Sequence, residues 1–156
     1  MKFVFLHVTS SKEKWCEDAT QIYLQKLKHF VSIEIVALSS KKLSRAEAST
    51  KLTLETEELL QFLQPDDFVV LFDEKGKSLD SLEFSELVQK ALMSGKKRCV
   101  WIIGGAFGVG EELKKRALVK LSLAPFVMNH QVAQIVALEQ IYRSFTILKN
   151  LPYHNK

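Results

Sequence analysis

The sequence has little of what marks several classes of protein. Its 156 residues include two cysteines, Cys16 and Cys99, and neither has a second cysteine or a histidine at the spacing of a zinc motif. Three prolines and six glycines exclude a collagen-like or low-complexity chain. No apolar run approaches the roughly 20 residues of a membrane-spanning helix. These absences favour a cytoplasmic protein with free thiols and with neither a metal nor a membrane among its partners.

Charge of one sign is not in large excess either. The chain has 22 Lys and Arg against 18 Asp and Glu, which gives a formal net charge of +4 and a pI near 9.0. This mild basicity excludes a histone-like polycation and permits an RNA or phosphate partner, with the basic clusters at residues 96–98 and 114–116 as the expected contacts. Hydrophobic residues make up 47% of the chain, enough for a core in one domain over residues 1–156.

Apolar strand-like runs alternate with helix-like segments along the whole chain. This alternation predicts an α/β fold with a mostly parallel sheet. Strands are predicted at residues 2–8, 32–38, 68–72, 99–103 and 119–123. Helices are predicted over the apolar stripe Trp15, Ala19, Ile22, Tyr23, Leu27 and Phe30, over residues 47–63, after Asp80, from about residue 111, and over residues 130–149.

Two helix starts and one connection carry local signals. Ser10 with Glu13, and Asp80 with Glu83, have the spacing of capping boxes. Residues 39–46 are rich in Ser, Lys and Arg, which predicts an exposed loop.

Two unusual loops follow predicted strands: the polar residues 73–78 and the glycine-rich residues 104–110. Both belong at the carboxyl edge of the sheet, where parallel α/β folds bind ligands. Gly105 and Gly110 have the spacing of a P-loop, but Glu111 stands where the phosphate-binding Lys is needed, which disfavours a nucleotide-hydrolysing enzyme. Two alternatives stay open for the glycines: a backbone surface that a ligand approaches closely, and a tight structural turn.

The last predicted helix carries two apolar stripes. One consists of Val132, Ile135 and Val136, and the other of Leu138, Ile141, Phe145 and Leu148. An ordinary surface helix has one such stripe, so the second predicts burial against a loop or a second subunit. His130 begins this helix, where the helix dipole would lower its pKa. Two roles stay open for it: a proton acceptor and a capping or packing residue. Tyr153 and His154 follow the helix, and a frayed tail is the alternative to a functional one.

Several segments occur together in one order. They are Gly76-Lys77, Ile103-Gly104-Gly105-x-x-Gly108, His130, Glu139-Gln140-x-Tyr142-Arg143 and Pro152-Tyr153-His154. Their combination resembles the RlmH family of SPOUT-class methyltransferases over essentially the whole chain. The resemblance implies a homodimer with a deep trefoil knot at its carboxyl end. It also implies methyl transfer from S-adenosylmethionine to N3 of a pseudouridine in large-subunit (23S) ribosomal RNA, as free RNA or in the assembled ribosome.

The resemblance further implies the positions of the cofactor. Phe72 would end the central strand at the pocket wall, and the bare backbone of Gly104 would face the cofactor. A knot loop would wrap the adenine and methionine portions. The implied cofactor-binding residues of that loop are Leu123, Ala124, Pro125, Phe126, Val127 and Met128.

Methylation of an imide nitrogen requires loss of its proton, so a base or a cation that stabilises the anion helps. The candidate residues for this chemistry are His130, Arg143, Tyr153 and His154. Arg143 could bind phosphate or the anionic base, and Tyr153 could stack on a base.

The chain departs from the family pattern near the cofactor. Thr9 and Gln134 stand where the family usually has Gly and Arg, the hydroxyl residues of the knot loop are absent, and Pro125 is new. These departures keep one alternative open: a diverged SPOUT-fold RNA-binding or ribosome-assembly protein without catalysis. Titration with S-adenosylmethionine separates the two functions.

Overall fold

The computed structural model describes residues 1–9, 11–39 and 47–155, and the strands within them form one sheet. The strands are β1 (Lys2–Thr9), β2 (Ser32–Ser39), β3 (Phe68–Ser78), β4 (Arg98–Ile103) and β5 (Val119–Ser122). The helices are α1 (Lys14–Leu27), α2 (Ala48–Phe62), α3 (Ser81–Met93), α4 (Glu111–Arg116) and α5 (His130–Leu148). The strand order is β2-β1-β4-β3-β5, and every neighbouring pair is parallel. The predicted α/β class with a parallel sheet is confirmed; the trefoil knot stays a prediction.

Helices cover both faces of the sheet. In the centre, Phe5 of β1 pairs with Ile35 on one side and Trp101 on the other. Successive side chains of a strand point to opposite faces. Phe5 and Trp101 therefore pack under α1, α3 and α5, whereas Leu6 and Ile102 pack under α2 and α4. Burial on both faces explains why these strands are almost continuously apolar.

The apolar stripe predicted for α1 is confirmed in part, because Leu27 is buried and Tyr23 and Phe30 pack against the core. The residues that α1 buries are Cys16, Thr20, Leu24 and Leu27. Trp15 and Ile22 are instead 49% and 53% exposed. Apolar residues occupy two sides of this helix, and periodicity alone does not decide which side meets the sheet.

The two predicted capping boxes have different outcomes. At α3, Asp80 Oδ1 accepts from the Glu83 amide at 2.8 Å, and Glu83 Oε2 accepts from the Asp80 amide at 2.9 Å, so this box is confirmed. At α1 the N-cap is Glu13, without a side-chain cap. A box beginning at Ser10 is therefore wrong, and Ser10 itself lies outside the described residues.

The predicted loop at residues 73–78 is also wrong, because β3 continues through it to Ser78. The pairing with β5 shifts register between Phe72 and Lys77, which both lie opposite Leu121. A Cβ added at Gly76 would lie 2.5 Å from the Leu121 backbone, so glycine permits this close approach. Of the other predicted loop, Ser39 ends β2 and residues 40–46 lie outside the described residues.

Candidate active site

A cleft opens where β3, β4 and β5 approach α5. Its volume is about 440 Å³, which is within the range of small-molecule sites. Parallel strands place their carboxyl ends at one edge of the sheet, and for this reason Phe72, Ile103 and Ser122 meet at its wall. The cleft is therefore at the edge where the sequence predicts a ligand.

Most of the implied cofactor residues line this cleft. They are Phe72, Gly104, Leu123, Ala124, Phe126, Val127 and Met128. Pro125 belongs to the same loop, but it is exposed and is not part of the cleft wall. Phe126 and Val127 are 69% and 75% exposed. The loop thus supplies an apolar wall and an open apolar rim.

The glycine loop is closed by its own backbone. The Gly108 amide donates to the Gly105 carbonyl oxygen at 3.0 Å, and the φ of 77° at Gly108 favours glycine. A Cβ added at Gly104 would collide with the side chain of Val109, and one at Gly105 with the carboxylate of Glu55. The bare backbone of Gly104 therefore serves tight packing within the loop, and the same residue lines the cleft.

Charged side chains that the resemblance does not assign to the cofactor also line the cleft. Asp73, Glu74 and Lys75 follow Phe72 on β3, and Nζ of Lys114 lies 3.9 Å from Asp73 Oδ2. Charges of both signs beside an apolar wall suit a zwitterion with an apolar ring, as in S-adenosylmethionine. The signal that could have found them is their position directly after a buried strand.

His130 begins α5 and lines the cleft. The helix is capped by Asn129, whose Oδ1 accepts from the Gln131 amide at 2.8 Å. Burial lowers the pKa of His130, and the Glu74 carboxylate opposes this effect. The lowered pKa was predicted, but its main cause is burial rather than the helix dipole. The imidazole is therefore neutral at neutral pH and able to accept a proton.

A second cavity of about 220 Å³ adjoins the cleft. Both spaces are lined by Ile103, Gly105, Ala106 and His130, so the glycine loop and the imidazole stand between them. His7 also lines the second cavity, and burial with a contribution from His130 lowers the pKa of His7 to about 4. Both imidazoles are thus neutral at neutral pH.

The remaining walls of the second cavity come from distant parts of the chain. Lys51 and Glu55 of α2 and Gln131 of α5 contribute to them. The sequence analysis misses this cavity because its residues share no motif. The only local sign is a glutamate in helix α2 at a position that the fold buries.

The other three chemical candidates form a cluster with Glu139. Arg143 donates to Glu139 Oε1 from Nη2 at 2.6 Å and from Nε at 3.0 Å. The Tyr153 hydroxyl donates to the same oxygen at 3.2 Å, and Nδ1 of His154 lies 3.4 Å from Arg143 Nη1. The tail is therefore fastened to α5 rather than frayed.

Aromatic rings back this cluster. The Tyr142 and Tyr153 rings meet edge to face with centroids 4.9 Å apart, and the Arg143 guanidinium lies 4.8 Å from the Tyr153 centroid. Burial and the Glu139 carboxylate raise the pKa of Tyr153 to about 12. The hydrogen bonds that Arg143 donates to the Glu139 carboxylate raise the pKa of Arg143 as well. Tyr153 is therefore a protonated hydrogen-bond donor at neutral pH.

The four candidate residues fall into two separate places. His130 is in the first turn of α5 and Arg143 is thirteen positions later on the same helix. At a rise of about 1.5 Å per residue they are about 20 Å apart along its axis. One chain therefore does not bring its own tail cluster to its own cleft.

The part of the chain that the structure describes has neither a metal-binding group nor a membrane-spanning helix. Across residues 1–9, 11–39 and 47–155, no three His, Cys, Asp or Glu side chains converge in a group that could hold a metal ion. Within the same residues, no helix is both long and apolar enough to span a membrane.

The chain is similar to proteins of known family over nearly its full length. Residues 1–154 match the family model described as predicted SPOUT methyltransferase. A Bdellovibrio bacteriovorus protein named ribosomal RNA large subunit methyltransferase H is 48% identical over 155 residues, 99% of each chain. A protein of that name from Christiangramia forsetii is 40% identical over 100% of this chain and 99% of its own. Another from Porphyromonas gingivalis is 34% identical over 100% of both chains.

Proposed function

The chain belongs to the SPOUT methyltransferase family, as its motifs predict, and from this premise we propose that it is a ribosomal RNA methyltransferase. We propose in particular that it transfers a methyl group from S-adenosylmethionine to N3 of a pseudouridine in large-subunit ribosomal RNA. The observation that carries the proposal is the cleft at the carboxyl edge of the sheet, which has a neutral imidazole between it and a second cavity.

The residues of the cleft fit the cofactor. The apolar loop from Leu123 to Met128 and Phe72 would hold the adenine ring, while Asp73 and Lys114 would hold the charged ends of the methionine portion. When bound, S-adenosylmethionine supplies a methyl group already activated by its sulfonium. The protein then has to orient the acceptor and remove one proton.

His130 is the proton acceptor of the proposed reaction. It lines both the cleft and the second cavity, so an acceptor ring held between them would have its N3–H beside the imidazole. The burial that lowers the pKa of His130 keeps a ring nitrogen unprotonated. That nitrogen would take the N3 proton while the methyl group passes to N3 from the sulfonium, which would leave as a neutral thioether.

The tail cluster acts on the cleft of a second copy of the chain. We propose a homodimer because about 20 Å separates Arg143 from His130 in one chain. Apolar side chains at the surface support a further interface: Trp15, Ile22 and Val132 are 49%, 53% and 42% exposed. In the dimer, Arg143 would stabilise the anionic base or a phosphate. Sedimentation at micromolar concentration tests the dimer, and a monomer there contradicts it.

The two basic clusters contribute to RNA binding less uniformly than the sequence predicts. In the first, Arg98 is bound to buried Asp67 at 2.8 Å, and Lys96 pairs with Asp66 at 3.0 Å. In the second, Arg116 donates to the carbonyl oxygens of Gln64 and Pro65. These side chains join elements of the fold, so salt-sensitive RNA binding has to draw on other cations as well.

Methyl transfer to ribosomes tests the proposal directly. Purified protein with labelled S-adenosylmethionine is expected to label the large-subunit RNA, and mass spectrometry of ribosomal RNA from cells with and without the gene locates the nucleotide. A calorimetric titration with S-adenosylmethionine runs beside it. Ribosome binding without cofactor binding would instead support the noncatalytic assembly protein.

A further inference from the structure

The second cavity collects hydrogen-bond acceptors that have no partner. Four buried side-chain polar atoms of the described residues lack a partner, and three of them belong to residues that line this cavity. These three are Oε1 and Oε2 of Glu55 and Oε1 of Gln131. Buried polar atoms are almost always satisfied, so three together at one cavity point to a ligand that donates to them.

Glu55 is the strongest of these observations. Its side chain is 3% exposed and lies against Gly105 of the glycine loop, where an added Cβ would collide with the carboxylate. Burial raises its pKa. The terminal torsion of a glutamate is broad, so a small rotation turns an oxygen into the cavity.

The cavity walls indicate the chemistry of the ligand. Besides the three unpaired oxygens, they carry the imidazoles of His7 and His130, which burial keeps neutral. The wall also carries the Lys51 ammonium, but its unpaired atoms are acceptors, which suits a ring with N–H groups. The volume of about 220 Å³ is half that of the cleft and suits one pyrimidine ring.

We propose that the second cavity binds the acceptor base, and that Glu55, assisted by Gln131, distinguishes pseudouridine from uridine by accepting a hydrogen bond from N1–H. This inference rests on the proposed function. Pseudouridine is joined to ribose through C5, so both N1–H and N3–H are free, whereas N1 of uridine carries the ribose. With N3 turned to His130 and the cofactor cleft, only pseudouridine retains a second N–H for the unpaired oxygens.

Methyl transfer to two matched ribosome preparations tests this assignment. One carries pseudouridine at the methylated position, and the other carries uridine because it comes from cells without the pseudouridine synthase. We expect the unaltered protein to prefer the pseudouridine ribosome, and Glu55→Leu to lower that rate about 10-fold to 100-fold while the uridine rate changes less than about twofold. Glu55→Gln keeps an acceptor oxygen and should keep the preference.

The controls separate specificity from folding. Glu57→Leu at an exposed position of α2 should leave both rates unchanged. Should Glu55→Leu fail to fold, judged by loss of cofactor binding, Gln131→Leu provides the test and should reduce the preference. Retention of the full preference in the folded leucine variants overturns the inference, as does its absence from the unaltered protein. If the unaltered protein methylates neither ribosome, the proposed function fails and takes this inference with it.

Discussion

The two ends of α5 place an imidazole in opposite surroundings. His130 at the start of the helix is half-buried between the cleft and the second cavity, and burial lowers its pKa against the opposing effect of the Glu74 carboxylate. His154 packs against the other end, in a cluster where Arg143 and Tyr153 both donate hydrogen bonds to Glu139. The first surroundings suit a proton acceptor, and the second suit the recognition of an anion. The two ends of α5 therefore suit different tasks, proton removal at its start and anion recognition at its end.

Each end is incomplete without the other. The cleft has a proton acceptor but no cationic side chain from the tail, and the tail cluster has a cation but no cofactor cleft beside it. In the proposed homodimer a second copy of the chain would bring them together, since about 20 Å of helix separates them within one chain. A change at the cleft end of α5 and a change at the tail end should therefore affect different steps of the reaction.

Deletion of residues 152–156 should have the largest effect. It removes Tyr153 and His154 while leaving the cleft unchanged, so methyl transfer should fall about 1,000-fold, as when preorganised donors are removed from an active site. Affinity for S-adenosylmethionine should change less than about twofold. Labelled transfer to ribosomes and calorimetry on the same preparation measure the two quantities. A simultaneous loss of cofactor binding would assign the tail to the cofactor cleft and would contradict separate roles for the two ends of α5.

The sequence predicts the cleft end of α5 better than it predicts the helix surfaces. Apolar runs define the strands, and parallel strands bring Phe72 and the glycine loop to one edge whatever the details of packing. The side of α1 that exposes Trp15 depends on which neighbour covers it, and local periodicity does not contain that information. Glu55 was missed because a glutamate within a helix ordinarily lies in solvent. The distance between His130 and Arg143 could have been predicted from the sequence, since it follows from the helix rise alone.

The cleft end should lose stability in acid. The pKa of His7 is about 4 in the folded chain against 6.5 ordinarily, so between these values the unfolded chain binds more protons. The free energy of unfolding is therefore fully retained above pH 6.5 and falls as the pH drops towards 4, by about 2–3 kcal/mol from this residue. Urea unfolding at pH 7 and pH 4.5 measures the loss.

His7→Leu should reduce that acid loss, because leucine does not titrate. His29→Gln is the matched control, since His29 is exposed and lines neither the cleft nor the second cavity. An acid loss of equal size in the His7→Leu variant would show that His7 does not make the cleft end pH-sensitive.

A bulky residue in the cofactor wall should impair the cleft without affecting the tail. Ala124 lines the cleft, whereas the neighbouring Pro125 does not. Ala124→Trp should weaken S-adenosylmethionine binding about 10-fold or more, equivalent to about 1.4 kcal/mol. Pro125→Trp adds the same bulk one residue away and should change affinity less than about twofold. Calorimetry compares the two variants, and equal losses would mean that the loop responds to any added bulk.

The smallest effect should come from Glu139→Gln, which keeps one acceptor oxygen at the tail end but removes the negative charge and the oxygen that accepts from Gln140. An amide oxygen still accepts from Arg143 and Tyr153, so methyl transfer should fall only about threefold, within the range of a weakened charge-assisted bond.

The pKa of Tyr153 in this variant should move below about 12, because the carboxylate is one cause of its elevation. Burial, the larger cause, remains, so the value should stay above that of an ordinary tyrosine. Absorbance of tyrosinate during alkaline titration follows this shift, with Glu86→Gln on the exposed side of α3 as the control. An unchanged Tyr153 titration would show that the carboxylate does not hold the tail electrostatically, and the contrast between the two ends of α5 would then rest on burial alone.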